Sequence, residues 1–221
     1  MNLQSLIKLD QQLLLWFNNH QTDFFNHFFT LYTGKVAWIF AAVVILFVII
    51  KNYKKESIWI LGVLVLTLVL TDQISNVVKY AVERPRPTRE PALQGLVMPV
   101  FGNLSSKYGF FSAHAANSFA FALFTTLLFK RRVYGVVIFL WAVINAYTRM
   151  YLGVHYPCDI LVGTAVGLLL AALTFTLLTK VFLRKKTLVK ISPRDLNYIF
   201  VALGSTILIL AFISILRAYV V

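Results

Sequence analysis

The sequence predicts an all-α polytopic membrane protein with six transmembrane helices in one bundle and an amphipathic segment before them. Hydrophobic residues make up 59% of the chain, above the roughly 45–50% of soluble domains. Several apolar runs reach the roughly 20 residues that cross a bilayer core. Basic residues cluster in short segments between these runs. Neither a repeat nor a long linker divides the chain, so residues 1–221 are predicted to form a single domain.

The net charge of +13 does not indicate nucleic-acid binding. The basic residues lie between apolar runs instead of lining one face, as a membrane topology signal does. The single cysteine, Cys158, excludes a disulfide framework and a multi-cysteine metal site. The N-terminus lacks a basic start, a long apolar core and a small-residue cleavage site, so no removable signal peptide is expected.

The first predicted element is amphipathic. Its apolar residues recur at helical spacing among polar ones, as at a membrane surface. They are Leu3, Leu6, Ile7, Leu13, Leu14 and Phe17. A short first helix packed on the bundle would give the same pattern.

Six spans follow, at residues 36–50, 58–82, 114–129, 133–152, 160–182 and 198–216. Basic clusters occupy alternate loops, which the positive-inside rule places in the cytoplasm. These are Lys51, Lys54 and Lys55, then Lys130, Arg131 and Arg132, then Lys180, Arg184, Lys185, Lys186, Lys190 and Arg194. Loops 83–113 and 153–156 are therefore expected on the periplasmic or extracellular face of the cell membrane, together with both termini.

The second span ends in a polar stripe. Asp72, Asn76, Lys79 and Glu83 share one helical face. Ionisable residues at membrane depth usually face a cavity or a partner, which favours a functional role. Alternatively, Lys79 snorkels to the water interface.

The next segment holds Arg86 on stiff backbone, because Pro85 and Pro87 force an extended chain. Lys79 and Arg86 offer a point charge and a planar fork, two geometries that recognise phosphate. A basic interfacial loop, to which Arg84 and Arg89 also belong, is the alternative.

The long outer loop ends at Ser112-Ala113-His114. Ser112 is a plausible N-cap, so free backbone donors and the helix dipole would make an anion site there. The alternative is that Ser112 serves only as the cap. His114 titrates near neutral pH and could donate a proton.

The fourth span ends near Arg149, and His155 and Asp159 follow. Pro157 suits the first turn of the next helix, so the Asp159 carboxylate could reach back to one imidazole nitrogen of His155. The other nitrogen would then act as a nucleophile. For Asp159 alone, a first-turn acid favoured by the helix dipole is the alternative.

Together these residues resemble the three-part signature of the type-2 phosphatidic acid phosphatases, whose vanadium haloperoxidase relatives share the site. The resemblance implies that His155 attacks phosphorus, Asp159 orients it and His114 protonates the leaving oxygen. It implies that the phosphate is bound by Lys79, Arg86, Ser112 and Arg149. The sequence departs from the common pattern at Phe111 and Ala113, which replace proline and glycine, and at Thr148, which replaces serine.

Other mechanisms fit less well. A cysteine-dependent phosphatase needs an arginine six residues after its nucleophile, where Thr164 follows Cys158. The acidic residues are mostly isolated along the sequence and do not form the clusters that bind catalytic metal ions. We therefore predict no metal and no cofactor. Haloperoxidase chemistry does not require six hydrophobic spans. A non-catalytic channel or transporter lined by Asp72, Asn76 and Lys79 is the alternative from another class.

The expected function is metal-independent hydrolysis of a lipid phosphate or pyrophosphate through a phosphohistidine. An outward-facing site in a small bundle favours undecaprenyl pyrophosphate as substrate, with phosphatidylglycerophosphate and lipid A as alternatives. The bilayer and the membrane lipid are the expected partners, and the oligomeric state is left open.

Overall fold

The computed structural model describes residues 2–183 and 188–219. Over these ranges the chain forms α-helices joined by turns, with one isolated β-bridge between Pro85 and Tyr108. The helices are α1 (Leu3–Asn18), α2 (Asp23–Tyr32), α3 (Ile39–Tyr53), α4 (Ser57–Val82), α5 (Ala113–Phe129), α6 (Arg132–Tyr151), α7 (Pro157–Leu177) and α8 (Pro193–Tyr219). The all-α prediction is confirmed.

Four segments of the described ranges are long and apolar enough to cross a membrane: Lys35–Val82, Arg132–Tyr151, Pro157–Phe182 and Pro193–Tyr219. The first contains both α3 and α4, and the apolar helix Ala113–Phe129 is shorter. Many large apolar side chains on these helices remain exposed, as expected for surfaces in contact with lipid. The protein is therefore an integral membrane protein, while the count of six spans stays a prediction.

Helix α5 lies at the centre of the bundle and packs against α4, α6 and α7. Two glycines of α7 allow a close approach of α5 to α7. A Cβ at Gly163 would lie 2.5 Å from the Ser112 carbonyl oxygen, and one at Gly167 would clash with the Ala116 carbonyl. The start of α5 is thereby held against the second and third turns of α7.

The predicted amphipathic segment forms α1. Its N-cap Asn2 accepts a hydrogen bond from the Ser5 amide. Leu3 and Trp16 are exposed, whereas Asp10 and Asn18 are buried against the bundle. Asn18 bonds the backbone of Met98 and Tyr151, so α1 packs beside the loops around 98 and 152. Helix α2, which begins after its N-cap Thr22, was not predicted.

The basic loops meet at the other end of the bundle. Lys51 forms an ion pair with Asp195 at 2.6 Å. The Tyr53 hydroxyl donates to the carbonyls of Leu128 and Val189, which joins all three loops. The shared end for these clusters is as predicted, although Arg184, Lys185 and Lys186 lie outside the described residues.

Candidate active site

His155 lies in the short connection between α6 and α7 and is 2% exposed. Its Nε2 is 3.0 Å from Arg86 Nη1, and its Nδ1 is 3.3 Å from Asp159 Oδ2. A guanidinium only donates, so Nε2 must accept with its lone pair, and Nδ1 carries the proton that it donates to the carboxylate. The surroundings thus select one tautomer, with the Nε2 lone pair facing the cation.

The charge state of His155 follows from the same surroundings. Burial lowers its pKa well below the ordinary value, and the cations Arg86, Arg149 and Lys79 lower it further. The imidazole is therefore neutral near pH 7, the state in which a histidine is nucleophilic.

The start of α7 places Asp159. The helix begins at Pro157, and Asp159 lies in its first turn, as predicted. Asp159 Oδ2 also accepts the Tyr156 backbone amide at 3.0 Å, which closes a capping box. The carboxylate that bonds His155 is therefore fixed by its own helix terminus.

Arg86 is held on the extended segment that the prolines predict. Its amide donates to the Lys107 carbonyl, next to the bridge between Pro85 and Tyr108. Its guanidinium donates to Val154 O at 2.9 Å and to Ser106 Oγ at 3.0 and 3.2 Å. Burial lowers the pKa of Arg86, which Asp159 partly offsets. Arginine nevertheless remains a cation at neutral pH.

A cavity of about 550 Å³ opens beside these residues. Five of the predicted site residues line it: Lys79, Arg86, His114, Arg149 and His155. Other parts of its wall are apolar and come from α3, α4, α5, α6 and α8, at Ile45, Leu68, Phe121, Trp141 and Leu203. The cavity thus joins a cationic region with two histidines to a hydrocarbon-lined region.

Ser112 and Asp159 lie behind this wall. Ser112 is fully buried and caps α5, its Oγ accepting from the Ala115 amide at 3.4 Å. Its own amide donates to the Asp159 carbonyl at 3.0 Å. The N-cap prediction is confirmed. Ser112 is not among the described residues that line the cavity, so its role in phosphate binding stays a prediction.

The loop between α2 and α3 also contributes to the site. Arg149 Nη1 donates to Thr33 Oγ1 at 2.9 Å, and Thr33, Gly34 and Lys35 line the cavity. Among the described residues, Arg149 Nε is buried without a hydrogen-bond partner. Sequence reasoning missed this loop, because no local pattern connects Thr33 to Arg149.

The ion pairs between Arg84 and two acidic residues were also missed. Arg84 bridges two carboxylates, with Nη1 3.0 Å from Asp159 Oδ1 and Nη2 2.6 Å from Asp10 Oδ2. The sequence did contain one signal for this contact. Asp10 is an acidic residue on the same face of the first helix as the apolar Leu14. In the described ranges, no three His, Cys, Asp or Glu side chains group as metal ligands.

Comparison with known proteins identifies a family and relatives of the chain. The sequence model of the PAP2 superfamily matches residues 58–183. A lipid A 4′-phosphatase of Bacteroides thetaiotaomicron is 39% identical over 168 residues, which cover 75% of each chain. A lipid A 4′-phosphatase of Porphyromonas gingivalis is 32% identical over 76% of this chain and 72% of that one.

Solved structures share the fold. Aquifex aeolicus LpxE superposes with a TM-score of 0.59 at 23% identity, covering 75% of this chain and 93% of that one. A PAP2-type phosphatidylglycerolphosphate phosphatase from Bacillus subtilis superposes with a TM-score of 0.61 at 20% identity, covering 80% of this chain and 88% of that one. With the sequence match, the relatives and the shared fold in agreement, the chain belongs to the PAP2 superfamily.

Proposed function

We propose that the protein is a lipid phosphatase that removes a phosphate from lipid A, with His155 as nucleophile. One observation carries the proposal. The His155 ring is held between Asp159 and Arg86, in the wall of a cavity that contains three more cations, Lys35, Lys79 and Arg149, and a second histidine. A neutral, oriented imidazole beside converging cations suits attack on a phosphate ester.

The chemistry proceeds in two steps. His155 Nε2 attacks phosphorus in line while Arg86 turns its donors from the imidazole to the phosphoryl oxygens. Lys79 and Arg149 offset charge on the same oxygens, and Asp159 stabilises the imidazolium that forms. The negative charge of the bound phosphate offsets the surrounding cations and favours the protonated form of His114, which gives its proton to the departing lipid oxygen. Water then attacks phosphorus while neutral His114 takes up the proton of the water, the bond between phosphorus and His155 Nε2 breaks, and inorganic phosphate leaves.

The choice of substrate rests on the relatives. The two lipid A 4′-phosphatases at 39% and 32% identity favour lipid A, one of the stated alternatives, over undecaprenyl pyrophosphate, which the sequence analysis preferred. The 4′-phosphate is accordingly the proposed point of attack. The apolar part of the cavity wall suits the acyl chains of such a substrate.

The membrane arrangement completes the proposal. The proposal includes six spans, with α5 among them, and histidines that face the periplasm. The position of the basic loops at the opposite end of the bundle supports this orientation. Thiol labelling of single cysteines tests this in a Cys158→Ser background. A cysteine at Gln94 should react in intact cells and one at Lys55 only after permeabilisation, and the reverse pattern would invert the topology.

Phosphate release by the purified protein tests the function. Lipid A should be hydrolysed faster than undecaprenyl pyrophosphate or phosphatidylglycerophosphate, and mass spectrometry should locate the loss at the 4′ position. His155→Ala should abolish turnover, whereas His20→Ala, at an exposed position in the connection between α1 and α2, should not. Preference for another lipid of the panel would overturn the substrate, and full activity of His155→Ala would overturn the mechanism.

A further inference from the structure

We infer that Asp10 and Arg84 are positioning residues that set the Asp159–His155 pair from the N-terminal helix. The kinetic part of this inference rests on the proposed function. Asp10 lies outside residues 58–183, where the family match falls. The orientation of the Asp159–His155 pair would therefore depend on a segment outside the residues that the family model matches.

The guanidinium of Arg84 provides the link. Nη1 contacts Asp159 Oδ1, while the other carboxylate oxygen, Oδ2, faces His155 Nδ1. Arg84 therefore holds one oxygen of Asp159 and leaves the other for the imidazole. The planar fork also stacks on the Tyr156 ring, with Cζ 3.8 Å from the ring centroid. Two ion pairs and one stacking contact together hold Arg84 in place.

Asp10 completes the arrangement from the far side. It is only 3% exposed, and its two oxygens have separate partners: Oδ2 bonds Arg84 at 2.6 Å and Oδ1 accepts the Cys158 backbone amide at 2.8 Å. Cys158 lies in the first turn of α7, next to Asp159. Asp10 thus binds both the Arg84 side chain and the backbone of α7, the helix that carries Asp159.

The charges explain why both carboxylates matter. Burial disfavours the charged form of Arg84, but Asp159 and Asp10 outweigh it and raise the pKa of the guanidinium. Two carboxylates around one guanidinium leave one negative charge uncompensated. This net negative charge strengthens the hydrogen bond that His155 Nδ1 donates to Asp159. Without the Asp10 charge, Arg84 would neutralise Asp159 and weaken its hold on the imidazole.

The primary test compares Asp10→Asn and Arg84→Lys with the matched controls Asp23→Asn and Arg89→Lys. Asp23 is exposed at the start of α2, and among the described residues the Arg89 side chain donates a hydrogen bond only to the Ser105 carbonyl. Because a displacement near 1 Å costs up to about 100-fold in rate, we expect kcat to fall about 10–100-fold in the test variants. KM should stay nearly unchanged, since neither residue lines the cavity.

A second comparison separates positioning from general loss of structure. If Asp10 acts through Asp159, adding Asp10→Asn to Asp159→Asn should lower kcat no further. Full additivity of the two changes would overturn the inference, as would an Asp10→Asn variant with the kcat of Asp23→Asn. Arg84→Lys provides a second variant should Asp10→Asn fold poorly.

A measurement of His155 reactivity without substrate separates this inference from the proposed function. Diethyl pyrocarbonate acylates neutral imidazole, so mass spectrometry can follow His155 with exposed His20 as internal reference. Asp10→Asn and Arg84→Lys should slow acylation of His155 but not of His20. If the wild-type protein hydrolyses no lipid phosphate yet shows this difference, the function fails and the positioning stands. Equal acylation in all variants would overturn the positioning.

Discussion

Replacement of Gly163 by alanine should loosen the bundle and impair the site together. The added Cβ would lie 2.5 Å from the Ser112 carbonyl oxygen and 3.3 Å from the Ala115 Cβ. Since the closest atom is backbone, no side-chain rotation relieves the contact. The helices must separate by about 0.9 Å to bring 2.5 Å to the 3.4 Å of an ordinary contact. Overpacking of this kind costs about 1–3 kcal/mol of unfolding free energy.

The same displacement should reach the nucleophile. The Ser112 amide donates to the Asp159 carbonyl, and the Asp159 side chain bonds His155. A shift approaching 1 Å at this point should lower kcat about 10–100-fold.

Unfolding in detergent mixtures and phosphate release from lipid A would measure the two effects. Gly204→Ala in α8 is the matched control, because nothing lies within 4 Å of its added Cβ. It should be neutral or stabilising by up to about 1 kcal/mol through helix propensity. Wild-type stability and turnover in Gly163→Ala, or an equal loss in Gly204→Ala, would refute the reasoning.

Three further outcomes are expected. His114→Ala should lower kcat about 10²–10⁴-fold on lipid substrates but much less on an aryl phosphate, because a good leaving group departs without a proton. Rates across a series of leaving groups would test this, and an equal loss on every substrate would contradict the general-acid role. Since burial and cations hold the pKa of His155 below its ordinary value, the nucleophile stays neutral as pH falls, so kcat/KM should not decline with an apparent pKa of about 6.5 in a pH–rate profile. Activity should persist in EDTA and be inhibited by vanadate, whereas loss in EDTA with recovery in magnesium would indicate a metal-dependent mechanism.

Local features of the site were predictable from the sequence. Pro157 marks the start of α7, so the four-residue spacing from His155 to Asp159 sets their contact. Ser112 likewise marks the start of α5. Such features depend on backbone geometry within one or two turns, which residue type largely determines.

Contacts between distant segments were not predictable in this way. Asp10 and Arg84 are separated by 74 positions, and Thr33 and Arg149 by 116. Their meeting depends on how α1 and the loop after α2 pack on the bundle, which periodicity along a helix does not specify. The number of spans met a related difficulty, since α5 is apolar but only 17 residues long, and hydropathy alone does not distinguish a short span from a buried helix.

The mixed lining of the cavity has a consequence for product release. Lipid tails are as apolar as the side chains at Ile45, Leu68 and Leu203, so moving an acyl chain from the bilayer to this wall gains little free energy. Retention of the substrate then depends mainly on its charge, held near Arg86 and Arg149. Hydrolysis removes that charge from the lipid, and the remaining alcohol keeps no strong attachment to the protein. The dephosphorylated lipid should leave sideways into the membrane and inhibit poorly, whereas inorganic phosphate should compete with the substrate.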